Sequence, residues 1–384
     1  MAPALLITLP RFQFSYAFYC VAPLILFRFN FEKYAASFLL VGYFFLLFLI
    51  NFFLNSVSIA AFFLEVALIF PLFYMVLGGE FNKEKVFRLC GILAMGFSIV
   101  NMTKVGFPFL LPYRDFLPDY FSGFYGRGGA KLVTIIGYFS LISELNRAKD
   151  KSILWIAISL INFVTPNYIL GIVCGVAALC AARLKLKVLI LMSLLGILLL
   201  PYIIYRFENL DNTMMNVFGY HPKLLAYISL VELWVEYPKT IFVGTGLGQF
   251  SSYPALWSSE YIKVLSTHEI PDIPYLFMSE YHDTMLGKYL EVGIDNFWAI
   301  SSSANKPYVS WVTLVAEMGV PSFLGVIWLL WKRYSVLSSV EKHMVKPAFL
   351  FSILAFGLDV WHDSPIFIFC FIALFGESLR ERRV

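Results

Sequence analysis

Long apolar runs alternate with short polar joints along this chain, and one polar stretch, residues 207–307, breaks the rhythm. Apolar windows fall at 12–27, 34–54, 57–77, 86–103, 131–146, 152–165, 167–182, 187–205, 308–331, 346–359 and 364–378. A helix needs about 20 residues to cross the hydrocarbon core of a bilayer. The pattern therefore predicts an all-α polytopic membrane protein with about eleven transmembrane helices. The segments 152–165, 346–359 and 364–378 are short for a full crossing and imply tilted or re-entrant helices. Three parts follow: spanning helices in 1–206, a large loop in 207–307 with an amphipathic helix inside it, and spanning helices in 308–384.

Charge orients this layout. Arg28, Lys33, Lys83, Lys85, Arg88, Arg147, Lys149, Lys151, Arg183, Lys185, Lys187, Lys332, Arg333, Lys342, Lys346, Arg380, Arg382 and Arg383 occupy one set of alternate joints. The opposite joints, the large loop excluded, hold little beyond Arg11, Lys104, Arg114, Arg127 and Lys131. Positively charged joints stay on the cytoplasmic side, so the N-terminus and the large loop are expected outside and the C-terminus inside. The first helix is expected to act as its own insertion signal, because no basic start and small-residue cleavage site precede it. With 60% hydrophobic and only 14% charged residues, the chain has more apolar surface than one soluble core can hide. The net charge of +4 is accounted for by the cytoplasmic joints, which removes nucleic acid as a partner. Cys20, Cys90, Cys174, Cys180 and Cys370 all lie in apolar runs, where a thiol behaves as a small hydrophobe.

Candidate chemistry gathers on the outward side. Within 221–250, Leu224, Leu225, Ile228, Val231, Leu233 and Val235 recur at helical spacing, with Lys223, Glu232 and Glu236 as polar partners. Gly244, Gly246 and Gly248 follow at alternate positions, where the missing Cβ lets a backbone approach a bulky or anionic ligand. A flexible turn has the same composition. Glu317 sits in an otherwise apolar stretch, where an ionised carboxylate is costly to bury. Glu65, in the third apolar run, is expected to find a polar partner within the bundle. Arg127 and Lys131 stand among Gly123, Gly126, Gly128 and Gly129 at an outward boundary, and Asp359, His362 and Asp363 share an outward turn. His362 and the two acids are too closely spaced to predict a closed metal shell, and no cofactor is called for.

Lys223, Trp234, Pro238, the three glycines and Phe250 resemble, in order and spacing, a motif of the O-antigen polymerases and O-antigen ligases, lipid-linked-glycan glycosyltransferases of bacterial envelopes. Glu317 and Gly319, after the large loop and ahead of a long apolar segment, match that family's Glu-x-Gly. Departures are visible: Lys223 stands where the family usually has arginine, Asn167 and Tyr168 replace a Ser-Arg-like pair, and no histidine-asparagine pair precedes Glu317. His282, Glu291 and Gly293 repeat the histidine-to-glycine spacing earlier in the chain.

The resemblance implies an undecaprenyl-diphosphate-linked oligosaccharide as substrate, membrane lipid as surroundings, and room for a chain-length regulator as protein partner. It implies a polymerase joining repeat units on the periplasmic face of the inner membrane. In that role Arg127, Lys223, Glu317 and His282 are the catalytic candidates, and Arg206, Lys239, Gly244, Gly246, Gly248, His362 and Asp363 the substrate-binding ones. Cations suit the diphosphate leaving group, on which negative charge grows as the glycosidic bond breaks. Arg206 also fits plain snorkelling at a helix end, Lys239 a solvated turn, and His282 a solvated loop. A ligase passing glycan to a lipid A core is the nearest rival. A flippase or transporter calls for polar residues spread through the bundle and a repeated architecture, neither of which the chain displays.

Overall fold

The computed structural model describes residues 31–54, 57–63, 65–66, 69, 88, 91–92, 94–95, 129–145, 152–164, 169–183, 222–252, 254–255, 279–294, 307–337, 339–359, 367 and 370–371. Ten helices are delimited among them. They are α1 (Phe31–Leu54), α2 (Gly129–Leu145), α3 (Ile153–Val164), α4 (Ile169–Arg183), α5 (Pro222–Glu236), α6 (Thr240–Val243), α7 (Glu280–Ile294), α8 (Ser310–Met318), α9 (Val320–Ser335) and α10 (Ser339–Leu358). No strand occurs among the described residues, so the chain is of the α class.

Two apolar clusters organise these helices. In the first, α2, α3, α4 and α10 pack through Ile135, Tyr138, Phe139, Phe163, Cys174, Ala348 and Phe351. Gly137 lets α2 touch α3 backbone to backbone: a Cβ there would stand 2.3 Å from the Phe163 nitrogen. In the second, α1 and α8 pack with α5, α7 and the Leu247–Phe250 turn through Phe44, Phe48, Leu225, Leu233, Phe250, Tyr281, Leu286 and Val312. The described portion of 207–307 thus shares a core with α1 and α8. The expectation of solvated side chains there is corrected for His282, which has 0% exposure.

The apolar run at 308–331 also departs from expectation. It is two helices, α8 and the first part of α9, bent by 117° at Gly319. Gly319 has φ 74°, a left-handed value that glycine adopts without a Cβ clash, and Pro321 then starts α9 where a missing N–H costs nothing. The run at 346–359 begins earlier than its hydropathy suggests, because α10 starts at Ser339 and carries Pro347 inside it. No single helix among the described residues is long and apolar enough to cross a membrane; the bent pair α8–α9 meets the length and composition together. Large apolar side chains nonetheless face outward on α1 (Phe38, Leu39, Phe53), α3 (Ile153, Leu154) and α9 (Trp328, Trp331). The expected spans at 12–27 and 187–205 lie outside the described residues.

The charged ends sort by height along the bundle. Arg88 pairs with Glu144 at the end of α2 at 3.0 Å, and Lys346 near the start of α10 reaches the Ala182 carbonyl at the end of α4. The opposite ends, the start of α2 and the end of α10, carry Lys131 and Asp359.

Candidate functional site

Four chain segments from the two clusters meet at that second end. Asp359 follows the last turn of α10, its own amide donating to the Ala355 carbonyl. Its carbonyl accepts the Ser310 amide at 3.2 Å, which gives the first turn of α8 one of the partners that helix starts lack. Its carboxylate takes one ammonium on each oxygen: Lys223 on Oδ1 at 2.8 Å and Lys131 on Oδ2 at 3.3 Å. Lys223 also donates to the Tyr308 carbonyl at 2.9 Å. Asp359 is 1% exposed, whereas the Lys223 side chain keeps 13% of its surface accessible.

This grouping runs against local electrostatics. Lys131 and Lys223 lie in the first turns of α2 and α5, where the helix dipole disfavours cations by a few tenths to ~1 kcal/mol each. The Asp359 carboxylate bridges the two ammoniums beside two positive helix ends. Burial pushes the Lys223 ammonium down from the ordinary lysine value; Asp359 opposes that shift and Lys131 adds to it.

Tyr308 links this cluster to a histidine. Its hydroxyl lies 2.9 Å from His282 Nε2, and His282 Nδ1 lies 3.2 Å from Asp283 Oδ1. With Nδ1–H donating to the Asp283 carboxylate, Nε2 is left as the acceptor for the Tyr308 hydroxyl. Carboxylate, imidazole and phenol then form a chain leading to the residue whose carbonyl holds Lys223.

Glu317 has a different neighbourhood. Its Oε2 accepts the Gly248 amide at 2.7 Å and its Oε1 the Phe250 amide at 3.0 Å. Its carbonyl accepts the Gly246 amide, and the Ala316 carbonyl accepts the Thr245 amide. The glycine turn is thereby laced onto the end of α8. Gly244, Gly246 and Gly248 all have positive φ, and they are buried. A Cβ on Gly244 would stand 2.2 Å from the Glu317 carbonyl oxygen, and one on Gly248 would stand 2.3 Å from that of Ala61 and 3.2 Å from Glu65 Cβ. These glycines serve close backbone packing in this structure, and the amides of Gly246 and Gly248 already have protein acceptors. Asn51 of α1 donates to the Gly244 carbonyl and accepts from the Tyr281 hydroxyl, while Gln249 exchanges two 2.7 Å bonds with the Ser58 backbone.

Lys239 lies before α6, with its ammonium 5.8 Å from the centre of the Tyr281 ring, away from the residues that hold Asp359. Arg127, Arg206, His362 and Asp363 lie outside the described residues. Sequence reasoning named Lys131 and Asp359 as boundary residues without pairing them, since nothing periodic connects positions 228 residues apart. Tyr308 went unremarked; its signal is a hydroxyl-bearing ring at the edge of an apolar run, a common interfacial feature. Among the described residues, no group of three His, Cys, Asp or Glu side chains is placed to hold a metal ion.

No protein-family model, no curated protein and no solved structure matches this chain.

Proposed function

We propose that the protein is a polysaccharide polymerase of the bacterial inner membrane, joining undecaprenyl-diphosphate-linked oligosaccharide units on the periplasmic face. The observation that carries this reading is the Lys131–Asp359–Lys223 cluster at one end of the helices, a built cationic site on the side that the charge pattern assigns to the exterior. The outward-facing apolar side chains of α1, α3 and α9 support placement in lipid, since water would penalise that much exposed hydrocarbon.

In this reading the two ammoniums bind the diphosphate of the donor and stabilise the charge that develops as its glycosidic bond breaks. Arg127, Arg206 and the His362–Asp363 turn are expected to complete the binding surface. The acceptor hydroxyl of the next unit attacks the donor sugar carbon and its proton passes to the departing diphosphate, while the Asp283–His282–Tyr308 chain fixes the Tyr308 carbonyl that holds Lys223. Glu317 anchors the glycine turn from which the α7 segment is held, and so acts on the site through the fold. A second reading, a ligase transferring glycan to a lipid A core, gains one specific support. Folding brings His282 to the start of α8, supplying in space the histidine absent from the sequence before Glu317.

Deleting the protein and sizing the surface glycan against the complemented parent separates these readings. A polymerase leaves core bearing one repeat unit; core with no repeat unit points to a ligase or an earlier step and contradicts the proposal.

A further inference from the structure

We propose that the outward face of α5 is the track along which the polyprenyl tail of the substrate leaves the Lys131–Asp359–Lys223 cluster, an inference that rests on reading that cluster as the diphosphate site. Tyr227, Val231 and Val235 are spaced four apart, so each advances only about 40° around the helix and the three form one narrow stripe. They are 40%, 57% and 76% exposed. The opposite side of α5 is already spent on the core through Leu225, Ala226 and Leu233, so packing does not account for the stripe.

The stripe is tied to the cluster at its start. Lys223 stands one turn before Tyr227, and the Tyr227 hydroxyl donates to the Gly357 carbonyl at 2.9 Å, two residues short of Asp359. From there it rises about 12 Å to Val235. A buried cationic cluster joined end to end with an exposed apolar strip matches a ligand with an anionic head and a long hydrocarbon tail. This selects a prenyl diphosphate over a free phosphate or a nucleotide, neither of which has a use for the strip.

The test titrates the full-length protein in detergent with inorganic diphosphate and with geranylgeranyl diphosphate by calorimetry, for the parent, Val231→Asp and Val235→Asp. The parent is expected to bind the prenylated probe roughly tenfold or more tighter than the inorganic one, given the apolar area a chain of that size buries. Each aspartate is expected to cut that ratio severalfold through the prenylated probe, and because partition into detergent is common to all three proteins it cancels in the comparison. The inorganic titration reports whether the head site of each variant has folded. An unchanged ratio in both variants overturns the track and assigns the stripe to the bilayer surface or to a second copy of the chain. Failure of the parent to bind inorganic diphosphate overturns instead the reading of the cluster itself.

Discussion

Lys223 holds its ammonium where a cation is least at ease: largely buried, in the first turn of a helix, beside a second lysine. Its depressed proton affinity has two consequences of known sign. Anion binding through this group needs the protonated form, so affinity for diphosphate is expected to fall, as pH rises, at a lower pH than an ordinary lysine would give. Stability moves the other way: between the depressed folded value and the ordinary unfolded one the unfolded chain binds the extra proton, so Lys223 contributes a stability that rises with pH. Diphosphate titrations and melting temperatures across the alkaline range read both effects, and Lys223→Met should remove both. A parent whose melting profile matches that of Lys223→Met would contradict the depressed proton affinity. At this scale the sequence offered positions more than roles. Glu317 stood out because charge is rare in an apolar run and Lys223 because it opens an amphipathic helix, but only folding shows Lys223 joined to Asp359 and Glu317 to the amides of Gly248 and Phe250.

At the scale of elements, the α8–α9 break and the glycine turn are one device. The turn at 244–250 uses the carbonyls of Ala316 and Glu317 and the carboxylate of Glu317 as acceptors, and the break at Gly319 exposes those groups to it. Gly244→Ala would push a methyl group into the Glu317 carbonyl and force a left-handed backbone on alanine, at a cost of ~2 kcal/mol or more. Glu317→Gln keeps the shape, surrenders a charge-assisted bond and is expected to cost about 2 kcal/mol. Gly325→Ala, at a helical glycine with open space around it, should be neutral or slightly stabilising. Thermal unfolding of the three purified variants checks the order; equal midpoints would deny the turn its structural part. Helix positions in this region were legible from periodicity, as α5 illustrates. The break was not, because the apolar run resumes directly after Glu317, Gly319 and Pro321, and a glycine and a proline mark a helix boundary without giving its angle, here 117°.

At the scale of the molecule, the site lies where the cluster of α2, α3, α4 and α10 meets that of α1, α5, α7 and α8, drawing Lys131 and Asp359 from one and Lys223, Tyr308 and His282 from the other. The alternation of apolar and basic segments made the α class legible, and the ion pairs Arg88–Glu144 and Lys131–Asp359 fall at opposite ends of α2. What the pattern concealed is the packing of the described part of 207–307. Polar composition reads as solvent exposure, yet Ser251, Gln249, Ser279 and His282 are buried because each finds a hydrogen-bond partner inside the fold. The central claim is that the two lysines on Asp359 hold the lipid diphosphate during chain extension. Its most direct test is the size distribution of surface glycan in cells whose only copy carries Lys131→Ala and Lys223→Ala, with the variant present at the parent's level in the membrane. The account predicts core bearing a single repeat unit, as in the deletion; a ladder of full-length chains would contradict it.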